Sequence, residues 1–270
     1  MTPDLKRIKH VVLDMDGTIY KGGTLFPWTK PFLDGLARKN IGYTFLTNNP
    51  SKSSDAYLQH LHKIGIPAAP EQLYTTAQAT IDYIKRKHPT FRRLFMLGTP
   101  GMIGQFVRAG FEDASDSADD RPDALIVAFD MTLIYSRLCR ASWWAKQGIP
   151  YIATNPDRVC PTDLPTILVD CGSICAAIEH ATGRAPDITL GKPDPTMLEG
   201  ILQRHKLRAD EIAMVGDRLY TDIRMAERAG AVSVLVLSGE ATADDVAKST
   251  VKPDVVVPTL AELGELLNNS

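Results

Sequence analysis

Two carboxylates, Asp14 and Asp16, flank Met15 where the apolar run Val11-Val12-Leu13 ends, and Gly17-Thr18 follows at once. Side chains along a strand alternate between faces, so Asp14 and Asp16 can share one side of a sheet while Met15 points away. One acid can then act as nucleophile and the other as proton donor, provided a cation offsets their repulsion. The same five residues also suit a plain strand-to-turn junction in which Asp and Gly only shape the backbone. Three further segments decide between these. Thr47-Asn48-Asn49 follows Tyr43-Thr44-Phe45-Leu46, and a hydroxyl with free N–H groups ahead of a helix can cradle phosphate or simply cap the helix. Lys192 lies in Gly191-Lys192-Pro193 after Ile188-Thr189-Leu190, where an ammonium beside a strand end can meet a carboxylate and phosphoryl oxygens. Asp217 closes the run Ile212-Ala213-Met214-Val215-Gly216, and Asp222 stands five residues on at a helix start. Carboxylates at adjacent strand ends suit a hard cation such as Mg²⁺. Ligands of open parallel sheets bind at the carboxyl ends of the strands, so one shared site accounts for these four segments better than four unrelated turns.

The elements that must position these residues alternate along the chain. Strand-like runs fall at 11–14, 43–47, 73–75, 93–97, 124–128, 151–153, 167–169, 188–190, 212–216, 232–237 and 255–257. Helix-like runs fall between most of them, including 29–39, 53–63, 76–87, 101–109, 137–147, 173–181, 195–205, 221–229 and 260–267. This is the pattern of a parallel sheet with crossover helices, an α/β fold. Gly98, Gly101 and Gly104 lack the spacing of a phosphate loop and read as a turn before a helix. The acidic stretch 112–120 reads as a solvated loop.

Composition narrows the class. The 270 residues, 44% apolar and 23% charged, are those of an ordinary soluble protein of one large or two smaller domains. A net charge of −2 carries no basic footprint, so nucleic acid is not an expected partner. No apolar run approaches membrane-spanning length and the first residues lack a signal-peptide core, so no membrane association and a cytoplasmic location are expected. Cys139, Cys160, Cys171 and Cys175 show no CxxC pairing, which argues against structural zinc. Cys171 and Cys175, four apart near a helix start, read as small core residues, with a regulatory disulfide the alternative.

The motifs Asp14-Met15-Asp16-Gly17-Thr18, Thr47-Asn48-Asn49, Lys192 and Gly216-Asp217 with Asp222 resemble those of the haloacid dehalogenase-like (HAD) superfamily. Over essentially its full length the chain is similar to the class IIA branch, the NagD and 4-nitrophenylphosphatase-like enzymes. Gly17-Thr18-Ile19-Tyr20, Ala153-Thr154-Asn155-Pro156-Asp157 and Cys171-Gly172-Ser173 carry that narrower likeness. More than a hundred residues separate Thr47 from Lys192, against a short stretch between Asp16 and Thr47 with room for a flap and one helix. The resemblance therefore implies a Rossmann-like parallel-sheet core, residues 1–78 and 187–270, with an inserted α/β C2-type cap at 79–186. Phe129-Asp130-Met131 and Asp170-Cys171-Gly172 depart from the branch's usual residues, both in or near the cap, where substrate identity is set.

The resemblance also implies a Mg²⁺-dependent phosphomonoester hydrolase for small phosphorylated metabolites, sugar phosphates or nucleoside monophosphates. Asp14 would attack phosphorus and Asp16 would act as acid, then base. Asp14, the Asp16 backbone carbonyl and Asp217 would hold Mg²⁺, with Asp222 in support behind them. Thr47, Asn48 and Lys192 would bind the phosphoryl group. In the cap, the loop with Asn155, Asp157, Arg158 and Thr162 is the expected leaving-group contact, Asn155 and Arg158 foremost. A phosphotransferase or mutase on the same core, or a non-catalytic phosphometabolite sensor, are the alternatives. The chain is expected to be a monomer or a homodimer.

Overall fold

The computed structural model describes residues 4–48, 54–160 and 165–269. The chain divides into two compact units, Met1–Thr47 with Ser54–Tyr74 and Lys192–Ser270, and Asn48–Ser53 with Thr75–Gly191.

The first unit is built on a six-stranded sheet in the order Val255–Val257, Val232–Val236, Ile212–Gly216, His10–Asp14, Gly42–Thr47, Leu73–Thr75. The strand His10–Asp14 lies near the middle, parallel to Ile212–Gly216 on one side and to Gly42–Thr47 on the other. Both faces of such a sheet are covered, so its strands read as near-continuous apolar runs instead of alternating ones. Val11, Leu13, Phe45, Ala213, Val215 and Val234 point to one face, against Phe32, Leu33 and Leu36 of the helix Thr29–Arg38 and Leu260, Leu263 and Leu267 of the helix Leu260–Asn269. Val12, Leu46, Met214 and Leu235 have the other parity and are fully buried, as are Met197, Leu198 and Ile201 of the helix Thr196–His205. Asp14 shares the parity of Val12, whereas Met15 joins the first face, so the strand delivers Asp14 away from the Met15 side. A small antiparallel hairpin, Tyr20–Lys21 with Thr24–Leu25, follows the acid pair in the place expected for a flap.

The second unit has its own five-stranded sheet, ordered Ile188–Thr189, Tyr151–Ala153, Ala124–Val127, Arg93–Leu97, Glu112–Asp113, with parallel pairing throughout. Phe95, Leu97, Leu125 and Val127 face Trp144 and Ala145 of the helix Tyr135–Lys146 and Ile174 and Ile178 of the helix Cys171–Thr182. Leu94, Met96, Ala124 and Ile126 face Ile81 and Ile84 of the helix Thr76–Lys87 and Met102 and Phe106 of the helix Pro100–Arg108. The unit begins and ends a few residues outside the span 79–186. Ala77 packs into this second core, and Ile188–Thr189 is the edge strand of its sheet, so both belong to the insertion.

Among the described residues no cysteine forms a disulfide, and Cys171 and Cys175 are buried core residues with their sulfurs 3.9 Å apart. Among the described residues no helix is long and apolar enough to cross a membrane.

Candidate active site

The carboxyl ends of three neighbouring strands of the first unit supply Asp14, Thr47 and the Gly216-Asp217 turn. In the register, Asp14 lies opposite Leu46, so Thr47 is the next residue beyond that rung. Asp14, Asp217 and Asp222 are buried, and each offers one carboxylate oxygen within 4.8 Å of the others. Lys192 is buried too and pairs with Asp14 and, at 2.7 Å, with Asp222. The backbone from Gly191 brings this lysine in through a cis Lys192–Pro193 peptide.

Asp222 arrives by a route the sequence does not announce. The helix expected over 221–229 opens as a π-helical turn, Leu219–Ile223, and becomes α-helical only at Arg224–Ala229. The amides of Asp222 and Ile223 both reach the carbonyl of Arg218, at 3.1 and 3.3 Å. The wider turn leaves Asp222 fully buried, Oδ1 on Lys192 and Oδ2 accepting from the Arg218 amide at 3.2 Å.

The electrostatics follow from three acids and one ammonium out of water. Burial, partly offset by Lys192 and reinforced by Asp222 and Asp217, pushes Asp14 up to about 7. Burial and then the charge of Asp222 push Asp217 up to about 6. Burial works to lower Lys192, but the ion pairs with Asp14 and Asp222 outweigh it and hold the ammonium above its usual range. Asp217 Oδ1 is buried with no hydrogen-bond partner, while its Oδ2 accepts from the Glu240 amide at 2.8 Å. An orphaned carboxylate oxygen inside an acidic cluster is what a hard divalent cation would satisfy, so these residues fit Mg²⁺.

The strand ends at Asp14, and Asp16 lies in the following turn, exposed, with Oδ1 accepting from the Gly22 amide at 3.3 Å. Its carboxylate is not in the buried acid cluster; Asp222, read as a supporting residue, is.

The second unit holds the remaining candidates. Asn48 is buried. Asn155 is fully buried, and its amide donates to Asp170 at 3.2 Å and Asp157 at 3.4 Å. Its Oδ1 accepts from Thr154 Oγ1 at 3.0 Å, so the amide is tied into the loop that carries it. Arg158 is exposed, and its carbonyl accepts from Ser173 Oγ and the Asp170 amide. Asp170, missed as a structural residue, caps the helix Cys171–Thr182 and is pushed up to about 6 by burial. Asn49 and Thr162 lie outside the described residues.

A parallel α/β unit with buried acids and a lysine at its strand ends defines an enzyme class, and comparison with known proteins gives the family. A model described as haloacid dehalogenase-like hydrolase matches residues 11–112, and one described as HAD-hydrolase-like matches 189–263. Ribonucleotide monophosphatase NagD of Escherichia coli is 30% identical over 256 residues, covering 95% of this chain and 98% of that protein. The structure of a 4-nitrophenylphosphatase from Thermotoga maritima superposes with a TM-score of 0.88 at 38% identity, covering 97% of this chain and 98% of that one. A glycerol phosphate phosphatase from Mycobacterium tuberculosis, solved in complex with magnesium, gives 0.86 at 29% identity, covering 98% of this chain and 79% of that one. The chain belongs to the haloacid dehalogenase-like hydrolases, in their NagD-like class IIA branch.

Proposed function

We propose that the chain is a Mg²⁺-dependent phosphomonoester hydrolase that acts on small phosphorylated metabolites, sugar phosphates or nucleoside monophosphates, through an aspartyl-phosphate on Asp14. The observation that carries this reading is the buried Asp14 carboxylate, ion-paired to Lys192 and clustered with Asp217 and Asp222 at the strand ends. Named phosphatases among its relatives support the same reaction class.

Lys192 takes Oδ1 of Asp14, which leaves Oδ2 as the nucleophilic oxygen. That oxygen attacks phosphorus in line, and the bond from phosphorus to the ester oxygen breaks. The departing alkoxide takes a proton from Asp16, whose exposed place in the turn suits a group that meets the leaving alcohol from the solvent side. In the second half, Asp16 removes a proton from water as the water attacks phosphorus, and Asp14 is released as carboxylate with free phosphate. Thr47, Asn48 and Lys192 bind the non-bridging oxygens, where charge is spread during transfer. Asp14, Asp217 and the Asp16 carbonyl would hold Mg²⁺, which would supply positive charge against the repulsion between carboxylate and phosphate. Asp222 orients Lys192 from behind.

The test is phosphate release from 4-nitrophenyl phosphate and a panel of sugar phosphates and nucleoside monophosphates, with and without Mg²⁺, beside Asp14→Asn. Asparagine keeps the shape and removes the nucleophile, so release should depend on Mg²⁺ and fall by about a thousandfold or more in the variant. A folded, Mg²⁺-binding protein that releases phosphate from none of the esters would exclude hydrolysis in favour of transfer or sensing.

A further inference from the structure

We infer that residues 238–241 form a positioning strap that fixes the Asp217 carboxylate for the divalent cation. The inference rests on the Mg²⁺ reading above and extends it to residues outside the acid and lysine motifs.

The strap follows the strand Val232–Val236 and touches both acid-bearing turns. Ser238 Oγ donates to the Gly17 carbonyl at 2.8 Å, which ties it to the turn after Asp14. The Ala241 amide donates to the Asp217 carbonyl at 3.1 Å, and the Glu240 amide to Asp217 Oδ2 at 2.8 Å. Gly17 and Gly239 press against the Asp217 carboxylate so closely that a Cβ on either would overlap it. One oxygen of Asp217 is therefore held by a backbone N–H, the group has no room to turn, and the other oxygen remains buried and unpartnered. Leaving a buried carboxylate oxygen unpaired is costly, so a strap serving the fold alone would be expected to satisfy both. Its geometry instead presents Oδ1 to a missing partner.

The outer end is anchored by side chains. The Glu240 carboxylate accepts from Tyr220 Oη at 2.9 Å and pairs with Arg218 Nε at 2.9 Å. These groups are 40–58% exposed, and ion pairs so placed contribute little to stability. Their removal should thus disturb cation binding more than folding. Groups that orient a metal ligand from behind typically change metal affinity by about 10–100-fold when removed.

The experiment is calorimetric titration of the full chain with Mg²⁺, without substrate, for wild type, Ser238→Ala, Gly239→Ala, Glu240→Ala and Glu240→Gln. Melting curves in EDTA and steady-state kinetics at several Mg²⁺ concentrations accompany it. Gly239→Ala should weaken Mg²⁺ binding about tenfold or more. Ser238→Ala and Glu240→Ala should weaken it severalfold with a nearly unchanged Mg²⁺-free melting temperature, and Glu240→Gln should recover part of the loss. High Mg²⁺ should restore kcat without changing KM for the ester. Folded Ser238→Ala and Glu240→Ala proteins that bind Mg²⁺ like wild type overturn the strap even if Gly239→Ala fails to fold. Wild-type protein that binds no Mg²⁺ overturns the cation reading itself, and the strap with it.

Discussion

At the residue scale the strand His10–Asp14 holds opposite electrostatic problems at its two ends. At the carboxyl end, three carboxylates within 4.8 Å repel one another by about 3–4 kcal/mol per pair at an effective dielectric near 20, and Lys192 meets only part of that. At the amino end, His10 is buried, its Nε2 2.9 Å from Thr44 Oγ1 and its ring 4.2 Å from that of His205. Burial first, then the facing His205, lowers His10 from 6.5 to about 4. The unfolded chain therefore binds a proton near pH 6.5 that the folded chain refuses until about pH 4. Stability from this residue is complete above pH 6.5 and drains away as pH falls through that window. Between pH 7.5 and 5 the loss is about 2 kcal/mol. Asp14 and Asp217, with raised values, act in the opposite sense over part of the same range, so the informative comparison is between chains. Urea unfolding of wild type and His10→Gln at both pH values should show the variant lacking this loss; an equal pH response in the two chains would sink the assignment. Asp14, Lys192 and Asp217, which the structure brings together, were legible as candidates because each sits in a short contiguous motif at the end of an apolar run. The hold of residue 240 on Asp217 was not, since it passes through a backbone N–H and leaves no signature in side-chain type.

At the scale of elements, legibility followed burial. Strands covered on both faces, such as Ala124–Val127 and Ile212–Gly216, stand out as apolar runs. The two-residue strands Tyr20–Lys21, Thr24–Leu25, Glu112–Asp113 and Val159–Cys160 carry no such run and were missed. So was the short helix Ala243–Lys248, which buries no residue and is held by a Thr242–Asp245 capping box. The π-helical turn before Arg224–Ala229 was missed for a different reason: an extra residue in one turn does not alter composition. The helix Thr196–His205 offers a test of packing against propensity. Gly200 lies inside it, where alanine would ordinarily gain about 1 kcal/mol. A Cβ there, however, would overlap the hydroxyl of the fully buried Tyr74, and overpacking a core typically costs about 1–3 kcal/mol. Gly200→Ala should therefore destabilise the protein despite the better helix former. Because the overlap is chiefly with the hydroxyl, Tyr74→Phe should relieve it, so the double variant should be more stable than the two single losses sum to. Additive single effects in urea unfolding would show that the neighbours yield instead.

At the scale of the whole molecule, the chain leaves the first unit after Tyr74 and returns to it at Lys192 with a second hydrophobic core completed in between. The sequence interval between Thr47 and Lys192 gave the expectation of an insertion, but its limits depended on which short elements join which sheet, as Ala77 and Ile188–Thr189 illustrate. Thr75–Gly191 falls near the commonest domain size, roughly 100–150 residues. Its sheet is covered on one face by Trp144, Ile174 and Ile178 and on the other by Ile81, Ile84 and Phe106, so neither face needs the first unit to bury it. The helix that opens it is capped locally, Thr75 accepting from the Gln78 amide at 3.3 Å. Residues 75–191 expressed alone should accordingly fold, with helical circular dichroism and one cooperative urea transition. The excised unit contains none of Asp14, Asp16, Lys192, Asp217 or Asp222, so it should release no phosphate from any ester and gain no stability from Mg²⁺. Cooperative unfolding without either response would separate the inserted fold from the chemistry at the strand ends of the first unit. A gradual, non-cooperative transition would mean that its two apolar layers close only in the presence of the rest of the chain.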